Sequence, residues 1–289
     1  MDPCPWRQVN VTFPTWTGAE HAALAHLAPL LTVAESEGLV TSWFFIRKAP
    51  CWRVRYLPGG DPSHAQSYIH RHLEELRSKQ YVEDLKEVVY EPETHAFGGA
   101  EGMASAHRLF HLDCRYMLAY LAETECLPGD GHRRELSIVL CSALLRTAGL
   151  DWYEQGDVWA RVADHRELPH MMPTDRLHSL ETDLRRLMSV DTAILTREGA
   201  PLASAAGWIQ AFAAAGRELA DLAANGLLHR GLRAILAHHI IFAWNRFGLP
   251  YSPQAVLANT AKAVVFGCEH AAEHKTQQGG QPCTAPADT

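Results

Sequence analysis

The chain has 289 residues, and its 26 basic and 33 acidic side chains give a formal charge of −7 with histidine neutral. Hydrophobic residues at 47% and charged residues at 20% exclude a disordered or fibrous chain, and the length allows one large domain or two modest ones. The negative charge argues against a general nucleic-acid binder, which needs a dominant basic surface. The unusual feature is the 17 histidines, because imidazole titrates near neutral pH and binds metals.

The first 93 residues predict alternating strands and helices. Apolar and polar side chains alternate in the short segments, and apolar residues recur at helical spacing in two longer ones. In chain order, the predicted elements are a strand over 8–13, a helix over 18–38, strands over 41–48 and 51–57, a helix over 68–76 and a strand over 85–90. This βαββαβ order is typical of a ferredoxin-like sandwich, with both helices on one face of the sheet and the other face open.

From residue 94 onward, helical periodicity replaces strand patterns. The predicted helices cover 100–125, 132–148, 151–165, 174–190, 203–224, 227–247 and 253–271. We therefore predict an α+β fold, with an N-terminal ferredoxin-like sandwich over residues 1–93 and a mostly helical region over 94–274 that forms a cleft with it. Residues 275–289 are rich in Gln, Gly, Pro and Thr, which predicts a disordered tail.

The seven cysteines indicate a reducing compartment, because they are odd in number, widely scattered and without a Cys-x-x-Cys pair. No basic segment followed by an apolar run begins the sequence, so we expect no secretory signal. The longest uncharged stretch, residues 199–216, is too short and too interrupted by Pro201 and Gly207 to span a membrane. We expect a cytoplasmic protein.

The third predicted strand carries two arginines on one face. Side chains alternate along a strand, so Arg53 and Arg55 lie about 7 Å apart on the same side. Two neighbouring guanidinium groups repel each other unless an anion lies between them, and on an open sheet face they are ready to bind a carboxylate. The alternative is a solvated strand face paired with acids such as Glu91 or Glu93.

The segment after the last predicted strand combines acidic and imidazole side chains. Glu93 and His95 precede a Gly-Gly pair at a domain junction, where a cleft is expected, although a purely structural loop is the alternative. The next predicted helix carries His107 and His111 at i, i+4. The residues between them lack the glutamate of a zincin motif and no third ligand follows, so we expect core or cleft histidines and no metal site.

The helix predicted over 227–247 is strongly apolar, which indicates burial, and yet it is rich in polar side chains. Buried polar groups need partners, so these residues predict a polar site inside the helical region or, alternatively, satisfied core histidines. They are His229, His238, His239, Asn245 and Arg246. The sequence contains no phosphate-binding loop, no dinucleotide fingerprint and no Gly-x-Ser-x-Gly motif, so we expect no cofactor.

Taken together, several segments resemble a known family. In chain order they are Trp43–Lys48, Trp52–Arg55, Tyr90–Glu93, Phe97–Gly99, Ala106–Asp113 and Asn245–Arg246. They resemble the C-terminal domain of lantibiotic dehydratases, and more closely its free-standing form, the thiopeptide-type bacteriocin biosynthesis proteins. The resemblance covers about residues 5–265 in motif order.

The resemblance implies an enzyme acting on a ribosomally made precursor peptide. In the dehydratases, a separate domain esterifies Ser or Thr with glutamate from glutamyl-tRNA, and the domain resembled here eliminates that glutamate to leave dehydroalanine or dehydrobutyrine. Some stand-alone relatives instead join two dehydroalanines in a formal [4+2] cycloaddition that forms a pyridine. The implied partners are the precursor peptide and a glutamyl-tRNA-dependent glutamylation subunit, with no direct nucleic-acid contact. The resemblance does not decide whether the chain forms a homodimer.

The resemblance also implies roles for individual residues. Arg53 and Arg55 would bind the glutamyl carboxylates, with Arg47 assisting. His238 or His239 would act as base or acid. The remaining substrate-binding positions implied are Glu93, His107, His111, Asn245 and Arg246.

Two positions depart from the family pattern. The family commonly has an arginine where this chain has Ala96, and the dehydratases have a catalytic histidine where it has Ile241. His95 would take over part of the missing arginine's work. The first hypothesis is therefore a metal-independent lyase, the elimination component of a split dehydratase. The alternatives are a pyridine-forming cyclase and a non-catalytic subunit whose open sheet takes the leader peptide as an added strand.

Overall fold

The computed structural model describes residues 4–124, 132–168 and 174–267. Its strands are β1 (Arg7–Thr12), β2 (Val40–Lys48), β3 (Cys51–Pro58) and β4 (Asp84–Val88). Its first helices are α1 (Ala19–Ala22), α2 (Ala28–Ser36), α3 (Pro62–Ser78), α4 (Ala100–Thr124), α5 (Arg133–Thr147) and α6 (Trp152–Asp164). The others are α7 (Thr174–Ser189), α8 (Thr192–Leu195), α9 (Ala206–Ala224), α10 (Leu232–Phe247) and α11 (Tyr251–Phe266). A π-helical turn, Ala23–Leu27, joins α1 to α2.

The strands form one antiparallel sheet in the order β2-β3-β1-β4. The fold is mixed, with a small sheet and a majority of helix, as the sequence predicts. The strands and helices up to β4 follow the predicted order, whereas the ferredoxin-like class of this layer and the boundary at residue 93 stay predictions. The short helix α8 is not predicted, because a four-residue helix carries too few positions to reveal a period. The predicted tail, residues 275–289, lies outside the described residues.

The prediction of an open sheet face is wrong. In the ladder, Phe44 pairs with Arg55 and Ile46 with Arg53, so these four side chains share one face. That face is covered, because Phe44 packs on Phe110 of α4 with ring centroids 5.2 Å apart, and Arg55 is only 3% exposed. The physical reason is that Phe44 and Ile46, the cross-strand neighbours of the two arginines on β2, are apolar and must be buried on the same face.

Helix α4 also covers the outer edge of β2. Nδ1 of His111 lies 3.0 Å from the carbonyl oxygen and 3.2 Å from the amide nitrogen of Trp43, and Nε2 lies 3.4 Å from the Glu35 carboxylate. The next outward amide, that of Phe45, donates to Sγ of Cys114 at 3.4 Å. An edge strand exposes unpaired backbone groups, and here two side chains of one helix satisfy them.

Replacing His111 with leucine is expected to lower the free energy of unfolding by about 1–3 kcal/mol, because the backbone of Trp43 loses its imidazole hydrogen-bond partner. Urea denaturation measures the change, with Leu112→Gln on the exposed side of the same helix as the control. An H111L midpoint equal to that of the unsubstituted chain would contradict this structural role and leave substrate binding as the reason for the histidine.

Helix α10 occupies the centre of the helical part and contacts α4, α5, α6, α9 and β2. Apolar side chains around its whole circumference are therefore buried, as its sequence predicts. Trp244 stacks on Trp159 of α6 with centroids 5.9 Å apart, while Phe242 stacks on Phe110 of α4 at 5.7 Å. The helix thus links the sheet layer to the helical layer. None of the helices described here is both long and apolar enough to cross a membrane.

Candidate active site

The buried guanidinium of Arg55 is the centre of the candidate site. Its Nε donates to Oε1 of Gln8 at 2.8 Å, and its Cζ lies 4.2 Å from the ring centroid of Tyr90 and 5.2 Å from that of Phe44. Burial lowers the pKa of Arg55, while Tyr90 and Glu93 oppose that shift. Arginine nevertheless stays protonated in proteins. The aromatic rings and Gln8 fix a charged, planar group in one orientation.

Unpartnered polar atoms surround this guanidinium. Oε1 of Glu93 lies 3.9 Å from Nη2 of Arg55, which makes a loose ion pair. Nη1 of Arg55, Nε of Arg53 and Oε2 of Glu93 are all buried and have no hydrogen-bond partner among the described residues. Buried polar groups are rarely left unpaired in proteins. Two donors and one acceptor are therefore available to a ligand that carries both negative and positive charge.

Tyr90 and His107 form a hydrogen-bonded pair beside Arg55. The Tyr90 hydroxyl lies 2.9 Å from Nε2 of His107, whose ring packs against Trp6 and Phe44. Burial and, to a smaller extent, the charge of Arg55 lower the pKa of His107 to about 4, and burial raises the pKa of Tyr90. At neutral pH both groups are therefore neutral, and the hydrogen bond between them holds the Tyr90 ring against the guanidinium.

The Gly-Gly segment anchors the Glu93 loop to α10. Gly98 and Gly99 have φ angles of +84° and +108°, a region that favours glycine. A Cβ at Gly98 would lie 2.4 Å from Cδ1 of Ile235, so a side chain would push the loop away from α10. The His229 amide donates to the Gly98 carbonyl at 2.8 Å, and Arg230 donates to the Ala96 carbonyl at 3.4 Å.

The two adjacent histidines of α10 differ in environment. His238 is half-buried, and its Nδ1 donates to the Ala234 carbonyl at 2.9 Å, which leaves the lone pair on Nε2. Burial lowers the pKa of His238, and the charge of Arg230 lowers it further. His239 is fully buried, its ring 4.9 Å from that of Phe97, and burial lowers its pKa to about 3. Of the two, His238 is partly exposed and His239 is not.

A buried ion pair lies behind these histidines. The guanidinium of Arg246 binds Oδ2 of Asp113 at 2.6 Å, and Oδ1 accepts from Nε1 of Trp208 at 2.7 Å. The side chains of Arg246 and Asp113 are 0% and 1% exposed. Arg246 is near enough to Arg55 for its charge to contribute to the lowered Arg55 pKa. This pair connects the core of the helical layer to the candidate site.

Not every predicted site residue is brought together. Arg47 lies on the other sheet face, where it pairs with Glu20, and Asn245 accepts from Gln254 of α11 at 3.1 Å. His95 is exposed at the turn of the loop. The cluster unites Arg53, Arg55, Glu93 and His107, with His238, His239 and Arg246 adjoining through Phe97 and Phe110.

Sequence reasoning missed Tyr90, Arg230 and Trp208 as members of this cluster. Tyr90 belongs to the quoted Tyr-Glu-Pro-Glu segment, but its position beneath Arg55 follows only from the packing of the sheet on α4. Arg230 and Trp208 lie far along the chain from the atoms they bind, so no local spacing could reveal them. No cluster of three metal-binding side chains occurs in the part of the chain that the structure describes.

Comparisons with known proteins identify the family and the fold. The family model for the lantibiotic biosynthesis dehydratase C-terminal region matches residues 6–265. The fold resembles the tRNA-dependent lantibiotic dehydratase MibB from Microbispora sp. 107891, with 17% identity and a TM-score of 0.64, covering 92% of this chain and 28% of MibB. This chain therefore spans only about a quarter of MibB.

Two other solved structures match over almost their whole length. TsrL has 15% identity and a TM-score of 0.57, and TbtD, the pyridine synthase from thiomuracin biosynthesis, has 13% identity and a TM-score of 0.58. Each match covers 91% of this chain and 98% of the other. No curated protein matches. Because the family model covers most of the sequence, the chain belongs to the lantibiotic biosynthesis dehydratase C-terminal family.

Proposed function

We propose that the chain eliminates glutamate from glutamylated Ser or Thr of a ribosomal precursor peptide. The unpartnered polar atoms of Arg53, Arg55 and Glu93 are the observation that carries the proposal. A glutamyl ester combines carboxylate and ammonium groups. The two guanidinium groups match the carboxylate and the charge that develops on the leaving group, and the Glu93 carboxylate matches the ammonium.

His238 of α10 supplies the proton chemistry in this proposal. Nε2 of His238 takes the α-proton of the esterified residue, and the electrons of the Cα–H bond form the Cα=Cβ double bond. The Cβ–O bond breaks, and its electron pair leaves with glutamate, whose new carboxylate Arg53 and Arg55 stabilise. His239 stays neutral and packs beneath Phe97, while His95 lies at the solvent-exposed end of the loop.

The proposal includes partners. In the proposal a glutamylation subunit attaches glutamate from glutamyl-tRNA, and the −7 charge of this chain suits a component that leaves the tRNA to that subunit. The precursor peptide is the shared substrate. These partners and a cytoplasmic location are part of the proposal, and the oligomeric state is open.

A second candidate is a pyridine-forming [4+2] cyclase. The observation that favours it is the near-complete coverage of TbtD, together with Ala96 and Ile241 at positions where the dehydratase pattern has arginine and histidine. Cycloaddition joins two preformed alkenes and needs no base for an α-proton. A non-catalytic peptide-binding subunit is the third candidate, and it would bind precursor without turning it over.

Mass spectrometry of two synthetic peptides separates the three candidates. One peptide carries a glutamylated serine, and the other carries two dehydroalanines. Free glutamate and a new dehydroalanine from the first support elimination. An intact ester at every enzyme concentration, with or without a glutamylation subunit, overturns it. A pyridine product from the second peptide establishes the cyclase, and binding without either product establishes the binding subunit.

The base assigned above predicts an acidic limb in the pH profile. The pKa of His238 lies below the usual 6.5, so its base form is complete above that pH and is lost as the pH falls through the lowered pKa. We expect glutamate release to be constant above pH 6.5 and to fall on the acid side. His238→Gln should lower the rate by roughly 10²–10⁴ and remove the limb.

The control is His64→Gln, because His64 is an exposed imidazole on α3 and its replacement should keep both the rate and the limb. An unchanged acidic limb in the His238→Gln enzyme would assign the proton transfer to another group.

A further inference from the structure

The two edges of the sheet differ in whether their outward backbone groups have hydrogen-bond partners. Helix α4 caps the outer side of β2 through His111 and Cys114. At the opposite edge, β4 pairs with β1 on its inner side only, and no backbone hydrogen bond reaches its outer side from any described residue. Immediately after β4, Val89 is 86% exposed. An uncapped edge that ends in an exposed apolar residue can pair with an extended chain.

A groove of about 510 Å³ lies where β4 ends. Its walls are apolar and aromatic for the most part, with Trp6, Tyr56, Val88, Val89 and Tyr90. Its polar lining includes Arg7 and Glu87, which carry opposite charges, so the groove favours neither a positively nor a negatively charged ligand. A groove of this composition suits the apolar side chain of a peptide whose main chain runs along β4.

The groove is continuous with the candidate active site. Two of its lining residues, Gln8 and Tyr90, are the ones that hold Arg55, through the hydrogen bond at 2.8 Å and the ring contact at 4.2 Å. A peptide strand paired with β4 lies three strand spacings, about 14 Å, from β3, so its chain must turn past the Val88 end of β4 for the next residue to approach Arg55. This continuity identifies the occupant as the substrate chain itself.

We propose that β4 and the groove at its end bind the precursor segment next to the esterified Ser or Thr as an added fifth strand. The inference rests on the proposed function for the identity of the peptide, but its binding step can be measured without turnover. Backbone pairing gives affinity in this mode, and the groove adds a preference for an apolar side chain near the reacting residue.

The test uses a fluorescein-labelled peptide of four alternating valine–serine pairs, measured by fluorescence polarisation. Val89→Asp should weaken its binding at least tenfold, because a charge enters the apolar wall, whereas Val89→Thr should change it less. Val33→Asp is the matched control, since Val33 is also an exposed valine but lies on α2. Hydrogen exchange at the β4 amides should slow when peptide is added to the unsubstituted chain.

Absence of binding to the unsubstituted chain, or equal binding by the Val89→Asp and unsubstituted chains, overturns the proposal. Turnover is measured separately, on the unsubstituted chain, with N-acetyl-O-glutamylserine amide, which is too short to reach the groove. If Val89→Asp weakens peptide binding while no substrate releases glutamate, the groove assignment stands and the elimination proposal fails.

Discussion

Replacing Arg55 with lysine is expected to lower kcat/KM for glutamate release by about 10- to 150-fold. Lysine keeps the positive charge but loses the planar, forked donors, and a hydrogen bond to a charged group contributes about 1.5–3 kcal/mol. The side chain is buried against Tyr90 and Phe44 and bound to Gln8, so a lysine ammonium cannot take the same orientation. Release of glutamate from the glutamylated peptide, followed by mass spectrometry, measures the effect.

Two controls separate chemistry from stability in this experiment. Arg77→Lys changes an exposed arginine of α3 that pairs with Glu74, and it should leave the rate unchanged. A urea titration of the Arg55→Lys chain shows whether it is folded at the assay concentration. An unchanged kcat/KM in a folded Arg55→Lys enzyme would show that Arg55 does not bind the departing carboxylate.

The net charge of the site is the reason to expect a large loss of kcat/KM in the Arg55→Lys enzyme. Arg55 has only a loose ion pair with Glu93, and the buried Nε of Arg53 has no hydrogen-bond partner among the described residues. The cluster therefore keeps net positive charge in a partly buried setting, where each charge interacts more strongly than in water. In a purely structural ion-pair network, each arginine would have a carboxylate close enough to balance its charge. An excess of positive charge is instead what a site for a departing carboxylate requires.

Sequence periodicity predicts most of the secondary structure because amphipathic segments are long and their breaks carry proline or glycine. It fails at the arginine face. Alternation placed Arg53 and Arg55 together correctly, but the open face was inferred from topology, although Phe44 and Ile46 on the neighbouring strand already indicated burial. Which layer covers a sheet depends on contacts between distant segments, and no local pattern encodes them.

The same reason limits prediction of the site. Arg246 was identified as a buried polar residue in need of a partner, and its burial is confirmed. Its partner Asp113 lies 133 positions earlier in the sequence, and Trp208 reaches the same carboxylate from a third helix. A sequence indicates that a buried charge must be compensated. Only the packing identifies the group that compensates it.

Replacing Asp113 with alanine is expected to lower the free energy of unfolding by about 3–5 kcal/mol. The substitution leaves the Arg246 guanidinium buried without a counter-charge, which costs more than the loss of the ion pair itself. Urea denaturation followed by far-UV circular dichroism measures it. Glu218→Gln is the control, because it breaks an exposed ion pair with Arg108 and should cost no more than about 1 kcal/mol. Similar losses in the two variants would show that the buried pair has no special weight.

The double variant Asp113→Leu with Arg246→Met tests whether the pair serves more than stability. Apolar side chains of similar volume often restore the stability of a buried ion pair, so this chain should recover the loss seen in Asp113→Ala except for about 1–3 kcal/mol, because Nε1 of Trp208 stays without an acceptor. If it also releases glutamate at the wild-type rate, the pair is a structural link. If it is stable but slow, the charge of Arg246 near Arg55 contributes to the electrostatics of the site, and the pair is retained for chemistry, since stability alone does not require it.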